Sequence, residues 1–196
     1  MLSLTALRGE VKDDLGDTLT GLYSDIDVLI ERWLNRGQER MDWQFRKTAD
    51  ITWAAGDPDI DLPADFARWG RFISDTGSGL PSGHEIGLVY EIHSAGGAPS
   101  AGEGRLIYWA YPPVISSGQA STLPRIGDVA LIEFAKYSFY ARLSSSRSDF
   151  EKYSVLVGQN GVDLEEIRAL AREHYDDYVA ASNSMPRSPS VSYYGD

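Results

Sequence analysis

The amino-acid sequence predicts an α+β fold: a helical bundle of about five helices with an inserted small antiparallel β-sheet or hairpin region and an extended C-terminal arm. Three observations carry that prediction. Apolar residues recur at helical spacing in the first and last thirds of the chain, but at a spacing of two through the middle third. Gly-, Ser- and Pro-rich stretches punctuate that middle third. The last residues have no period at all. With 196 residues, of which 42% are hydrophobic and 11% aromatic, the chain can cover a core. It reads as one domain over residues 1–182, followed by the arm at 183–196.

Taken in order, Leu4, Leu7, Val11 and Leu15 share one face of a helix over residues 3–16, stopped by Gly16-Asp17. Ser24 with Asp27 looks like a capping-box start for a helix over 25–45. Its apolar face is Ile26, Ile30, Trp33, Gly37 and Met41, and its other side carries Glu31, Arg32, Arg36, Glu39 and Arg40. That mixed-charge side suits either solvent or a neighbouring subunit. The β region spans 48–115. Ile51 and Trp53 alternate with polar residues, Gly56-Asp57-Pro58-Asp59 breaks the run, and Ile60 and Leu62 resume it, as in a hairpin closing on Leu62-Pro63. Ile86 to Ile92 and the aromatic run Leu106 to Tyr111 are further strands, the second ended by Pro112-Pro113. Residues 75–85 and 94–104 read as loops.

Helical period returns over 128–143, where Asp128 can cap a segment carrying Leu131, Ile132, Phe134, Ala135, Phe139 and Ala141. This segment is apolar nearly all round, as a buried helix is. Ser148 with Glu151 predicts a helix over 149–157, ended by Gly158 to Gly161. Asp163 with Glu166 opens a helix over 164–181, with Leu164, Ile167, Leu170, Ala171, His174, Tyr178 and Val179 on its inner side. No repeat is present at any period between about 20 and 50 residues.

The 18 basic against 29 acidic residues leave a net charge of −11, which argues against tight binding of nucleic acid through its phosphates. The chain has no Cys, so thiolate chemistry and Cys-based metal sites are excluded. No stretch is apolar enough to span a bilayer, and the N-terminus turns charged too soon for a signal-peptide core. The expectation is a protein that is soluble and cytosolic when made.

Catalytic constellations are hard to assemble. His84, His93 and His174 have no metal-ligand spacing between them; His174 faces the presumed bundle and reads as a satisfied core or interface residue. Gly77-Ser78-Gly79 is too short for a hydrolase elbow. Asp57, Asp59 and Asp61 lack the remainder of a calcium loop and read as turn aspartates. Trp33, Trp53 and Trp109 fall on apolar faces that belong to a core. No catalytic residue, cofactor or metal ligand is assigned, and the chain is read as no enzyme.

The order of segments is informative. Ile30-Glu31-Arg32-Trp33-Leu34-Asn35-Arg36 on a long helix precedes a hairpin ending in Leu62-Pro63-Ala64-Asp65-Phe66. An aromatic strand closing in Tyr111-Pro112-Pro113 follows, and Leu123-Pro124 then leads into an apolar helix. From residue 1 to about 182 this arrangement resembles the head-to-tail adaptor, or connector, proteins of short-tailed double-stranded DNA bacteriophages. The resemblance implies a structural virion protein at the head–tail interface. It implies a homo-oligomeric ring, usually a dodecamer, docked below the portal protein. Such a ring extends the DNA channel without sequence-specific DNA binding and attaches the tail nozzle or tail tube.

In that reading the arm runs along the portal through Pro186, Arg187, Pro189, Tyr193 and Tyr194. Arg32, Arg36, Arg40, Glu31 and Glu39 meet the next subunit. Two other readings stay open from the residues alone: another phage tail or capsid accessory binding protein, and a small hydrolase.

Overall fold

The computed structural model describes residues 2–16, 18–41, 44–74, 80–81, 83–92, 100–158 and 163–185. They fall into two compact units, Met1–Asp42 with Pro113–Asp196, and Trp43–Pro112. The first holds six helices: α1 (Leu4–Leu15), α2 (Thr18–Leu22), α3 (Ile26–Arg40), α4 (Arg125–Ser145), α5 (Arg147–Val157) and α6 (Leu164–Asn183). The second holds six strands: β1 (Phe45–Trp53), β2 (Asp59–Asp61), β3 (Phe66–Ser74), β4 (Gly83–Ile86), β5 (Val89–Ile92) and β6 (Gly102–Ala110). The class is therefore α+β, as the periodicity predicts.

In the helical unit α4 is the buried element. Ala130, Leu131, Phe134, Ala135, Phe139 and Leu143 are all removed from solvent, which needs neighbours on several sides, and α1, α3, α5 and α6 all pack on it. Phe134 is the wedge. On α3, Gly37 presents no side chain, and a Cβ there would stand 3.0 Å from the Phe134 side chain. Glycine thus sets how closely α3 approaches. From α6, Tyr178 meets the Phe134 ring at 5.0 Å between centroids, and its hydroxyl donates to the Gly37 carbonyl at 3.1 Å.

Polar clasps fix the chain between these helices. The Asn35 side-chain amide donates to the Ile115 carbonyl at 3.0 Å and accepts from the Ile115 N–H at 2.8 Å. Gln38 Nε2 donates to the Pro113 carbonyl at 2.9 Å. The buried Asp128 accepts the Leu2 N–H at 3.1 Å.

Several boundaries move from their expected places. The helix expected over 25–45 stops at Arg40, because Phe45, Arg46 and Lys47 are taken up by the ladder with β6, where Phe45 pairs Ala110. Its N-cap is Asp25, without a side-chain hydrogen bond, instead of Ser24. Asp128 does not cap α4, which starts three residues earlier behind Pro124. The α5 cap is Ser146, accepting from the Asp149 N–H, and not Ser148, which lies within the helix. Asp163 does cap α6, accepting from the Glu165 N–H. The α2 turn is absent from the sequence reading, since five residues are too few to show a period. At the other end α6 runs to Asn183 and Met185 is buried, so residues 183–185 belong to the helical unit and not to the arm expected from 183.

The β unit contains two antiparallel three-stranded sheets, in the orders β1-β6-β3 and β2-β5-β4. The hairpin expected from Ile51 to Leu62 is not formed. Instead β1 pairs β6, with Ile51 opposite Gly104, and β2 pairs β5, with Ile60 opposite Tyr90. Alternation reports which face is buried but not which strand lies alongside: Ile51, Trp53, Ile60 and Leu62 all enter one core cluster with Phe66, Leu106 and Tyr108. At Gly104 an added Cβ would lie 2.3 Å from the Phe72 ring, so the absent side chain lets the aromatic ring cross the strand. The segment expected as one strand from Ile86 to Ile92 is two, β4 and β5, turning at Gly87-Leu88. Residues 83–85 and 102–104 of the expected loops are strand, and β3 occupies a stretch the sequence reading left without an element.

Replacing Phe134 by Ala should cost about 3–5 kcal/mol, a cavity at a three-helix junction. Asn35→Ala should cost about 1–3 kcal/mol by leaving both backbone groups of buried Ile115 without their partner. Denaturant midpoints followed by far-UV circular dichroism measure both. Unchanged midpoints would remove these residues from the account of the core.

Candidate interaction surfaces

The mixed-charge side of α3 separates in three dimensions. Glu31 is half-buried and pairs with Arg8 of α1, so it is satisfied within its own subunit. Arg32, Arg36 and Arg40 recur at every fourth residue, stay exposed, and line a cleft of about 320 Å³ between α3 and α4. Trp33 and Phe134 also line it, and α4 contributes a fourth guanidinium, that of Arg142. Arg40 lies over the Phe134 ring, 5.2 Å from its centroid, a cation–π contact that holds the head group at the rim. Arg142 is engaged by Asp149, Nε to Oδ2 at 3.0 Å, and stacks over Tyr23 at 4.6 Å. Among the described residues, neither Arg32 nor Arg36 has an ion pair. Glu39 is exposed beside them.

Arg142 was not legible as a member of this group, because nothing in the sequence says that the last turn of α4 returns beside the middle of α3. The acidic side of α6 was legible and went unread: Glu166, Glu173 and Asp177 are separated by seven and four residues, which returns them to one side of a helix, and all three are exposed.

His174 is satisfied, as expected. Its Nδ1 lies 2.7 Å from Glu133 Oε2, and its ring stacks on Tyr140 at 5.4 Å. Lys136 reaches Glu133 Oε1 at 2.8 Å and Asp14 Oδ2 at 2.5 Å, so the chain Asp14–Lys136–Glu133–His174 ties α1, α4 and α6. Burial pushes the Glu133 carboxyl up, but hydrogen bonds from His174 and Lys136 and the Lys136 charge hold it below the usual carboxylate range. Asp177 brings a further carboxylate within 4.8 Å of this pair, whose own two members are already bonded to each other.

In the β unit, Asp65 is the centre of a second clasp. It accepts from the Tyr108 hydroxyl at 2.9 Å, pairs with Lys47, and its carbonyl accepts the Tyr111 N–H at 2.9 Å. Burial, then the neighbouring Asp65 carboxylate, pushes the Tyr108 phenol up to about 12. Burial also opposes ionisation of Asp65, yet the Lys47 and Tyr108 hydrogen bonds hold its carboxyl below the usual range.

Of the other residues singled out in the sequence, Asp57 closes a turn by accepting the Ala54 N–H, and Asp59 and Asp61 lie exposed on β2. Trp33, Trp53 and Trp109 are buried, as expected. His84 is on β4. His93 and the expected arm contacts Pro186, Arg187, Pro189, Tyr193 and Tyr194 lie outside the described residues. Exposed apolar side chains gather at Val155 and Leu156 on α5 and at Ile86 and Leu88 around the β4–β5 turn. Among the described residues no helix is long and apolar enough to cross a membrane.

Because the Glu133 carboxyl is depressed in the folded state, its contribution to stability is present above the ordinary carboxylate pKa and is lost as pH falls through the folded value. Glu133→Gln should therefore melt below the native protein near neutral pH, with the gap closing as pH falls below the usual carboxylate range. Parallel melting curves across that range measure it, and a gap independent of pH would show that the ionised form contributes nothing.

No curated protein matches the chain. The model of the SU10 adaptor protein family matches residues 2–193, which is nearly the whole sequence and takes in both units. The chain belongs to that family and is a bacteriophage adaptor, a structural component of the virion.

Proposed function

We propose that this adaptor works as a ring of copies at the head–tail interface, docked below the portal protein, where it lengthens the DNA channel and carries the tail nozzle or tail tube. The family match over residues 2–193 carries this reading. Twelve copies is the number the adaptor resemblance suggests. The function is one of contact, with no catalysis, cofactor or metal ion needed. A net charge of −11 per chain supports a channel through which duplex DNA slides, since like charge disfavours sticking to the phosphates. The segment from Pro186 to Asp196, with Arg187, Tyr193 and Tyr194, is assigned to the portal surface, because aromatic and arginine side chains concentrate binding energy in few residues.

Native mass spectrometry of the full chain mixed with its portal protein tests this. The expected product is one portal bearing one ring of adaptors. A chain that stays monomeric and instead binds a different virion surface would favour an accessory protein of tail or capsid. Deleting residues 186–196, beyond buried Met185, should leave the melting temperature unchanged and weaken attachment to the portal. Undiminished attachment would remove the arm from that interface.

A further inference from the structure

We propose that the arginine-lined cleft between α3 and α4 receives the acidic edge of α6 from a second copy of this chain. The proposal rests on the ring reading and names the surfaces that close the ring.

The cleft gathers four guanidinium groups, those of Arg32, Arg36, Arg40 and Arg142, around one cavity in a chain whose net charge is −11. Like charges held together repel, and an anionic occupant relieves the repulsion while accepting charge-assisted hydrogen bonds. Asp149 engages Arg142 from one side, but among the described residues Arg32 and Arg36 meet no carboxylate of their own subunit. Trp33 and Phe134 line the cleft and are themselves buried, so the cations sit against low-dielectric protein, which strengthens ion pairing.

On α6 the complementary edge is Glu166, Glu173 and Asp177. They lie away from the line Ile167, Ala171 and Tyr178 that the helix buries. Glu165 is left out because Arg168 already pairs with it, whereas among the described residues no ion pair is formed by Glu166 or Glu173. The dimensions agree: three arginines at i, i+4 and i+8 cover about 12 Å of helix, and the three carboxylates at i, i+7 and i+11 cover about 16 Å. Two different patches of opposite sign on one subunit make a head-to-tail contact, the kind that closes a ring when the rotation per step allows. A self-complementary dimer would instead need both signs in a single patch.

Charge reversal tests the pairing. Arg32→Glu with Arg36→Glu should weaken ring assembly on the portal roughly tenfold or more, and Glu166→Lys with Glu173→Lys should do the same. All four positions are exposed, and melting curves check that each variant folds. The deciding arm is the mixture of the two variants. An alternating ring then pairs each reversed cleft with a reversed helix and each native cleft with a native helix, so assembly should return.

Rings formed as in wild type by R32E/R36E would overturn the proposal while leaving the ring reading intact. The proposal would also fall if the R32E/R36E and E166K/E173K chains, each folded, stayed unassembled when mixed; the cleft would then belong to another anionic partner, such as a portal segment. A wild-type chain that never rings on its portal would overturn the ring reading itself, and this proposal with it.

Discussion

The helical unit depends on the burial of one aromatic ring. Phe134 fills the space where α3, α4 and α6 converge, and each neighbour is shaped around it: Gly37 by having no side chain, Tyr178 by an edge-on ring, and Arg40 by a guanidinium laid over its face. An interior packed at crystal-like density admits no slack at such a point. The Tyr178 hydroxyl bond to the Gly37 carbonyl then fixes α3 and α6 relative to each other through the same junction. Because Arg40 and Phe134 both line the arginine cleft, the core contact also sets the geometry of the surface.

Within each unit, side chains with backbone-like hydrogen-bonding ability hold irregular chain. Asn35 makes a donor and an acceptor bond to one residue, Ile115, which is how a strand partner would bind it. Asp65 gathers Lys47, the Tyr108 hydroxyl and the Tyr111 N–H. Both residues belong to the segments that carry the adaptor resemblance. The structure gives them a physical reason: an amide and a carboxylate are short enough to sit at a chain reversal and still satisfy buried backbone or phenol groups, and few side chains can replace them there.

What the sequence made legible follows from what periodicity can encode. A face repeats, so the buried sides of α1, α3, α4 and most of α6 were readable, down to the burial of Trp33 and the satisfaction of His174; Val179, expected on the inner side of α6, is exposed. Pairing does not repeat. Ile51, Trp53 and Ile60 were recognisable as core residues, but β1 and β2 find partners in β6 and β5, some tens of residues further on, and no local rule names a partner at that distance. The end of α3 shows the same limit, since its charged and apolar residues continue in helical order toward Phe45 until a strand from far along the chain takes them. Arg142 is the site's counterpart: its place beside Arg32 and Arg36 exists only after α4 has folded back.

Charge on this molecule is better read by location than by total. In the ring proposed above, an excess of carboxylates suits a DNA conduit, yet a uniformly acidic subunit would also repel its copies, and the ring needs each subunit to attract the next. Sorting resolves the conflict. Glu31 is withdrawn into a pair with Arg8 and Glu133 into a half-buried network with Lys136 and His174, which leaves three arginines against the single Glu39 on one side of α3 and carboxylates on one side of α6. Attraction between such faces acts over about 10 Å at physiological salt, the range of a subunit contact. In the proposed ring the same screening applies to duplex DNA, so the acidic excess repels the phosphates where the duplex comes close to the channel wall. On that reading, one composition serves both contacts because the charges are sorted by face.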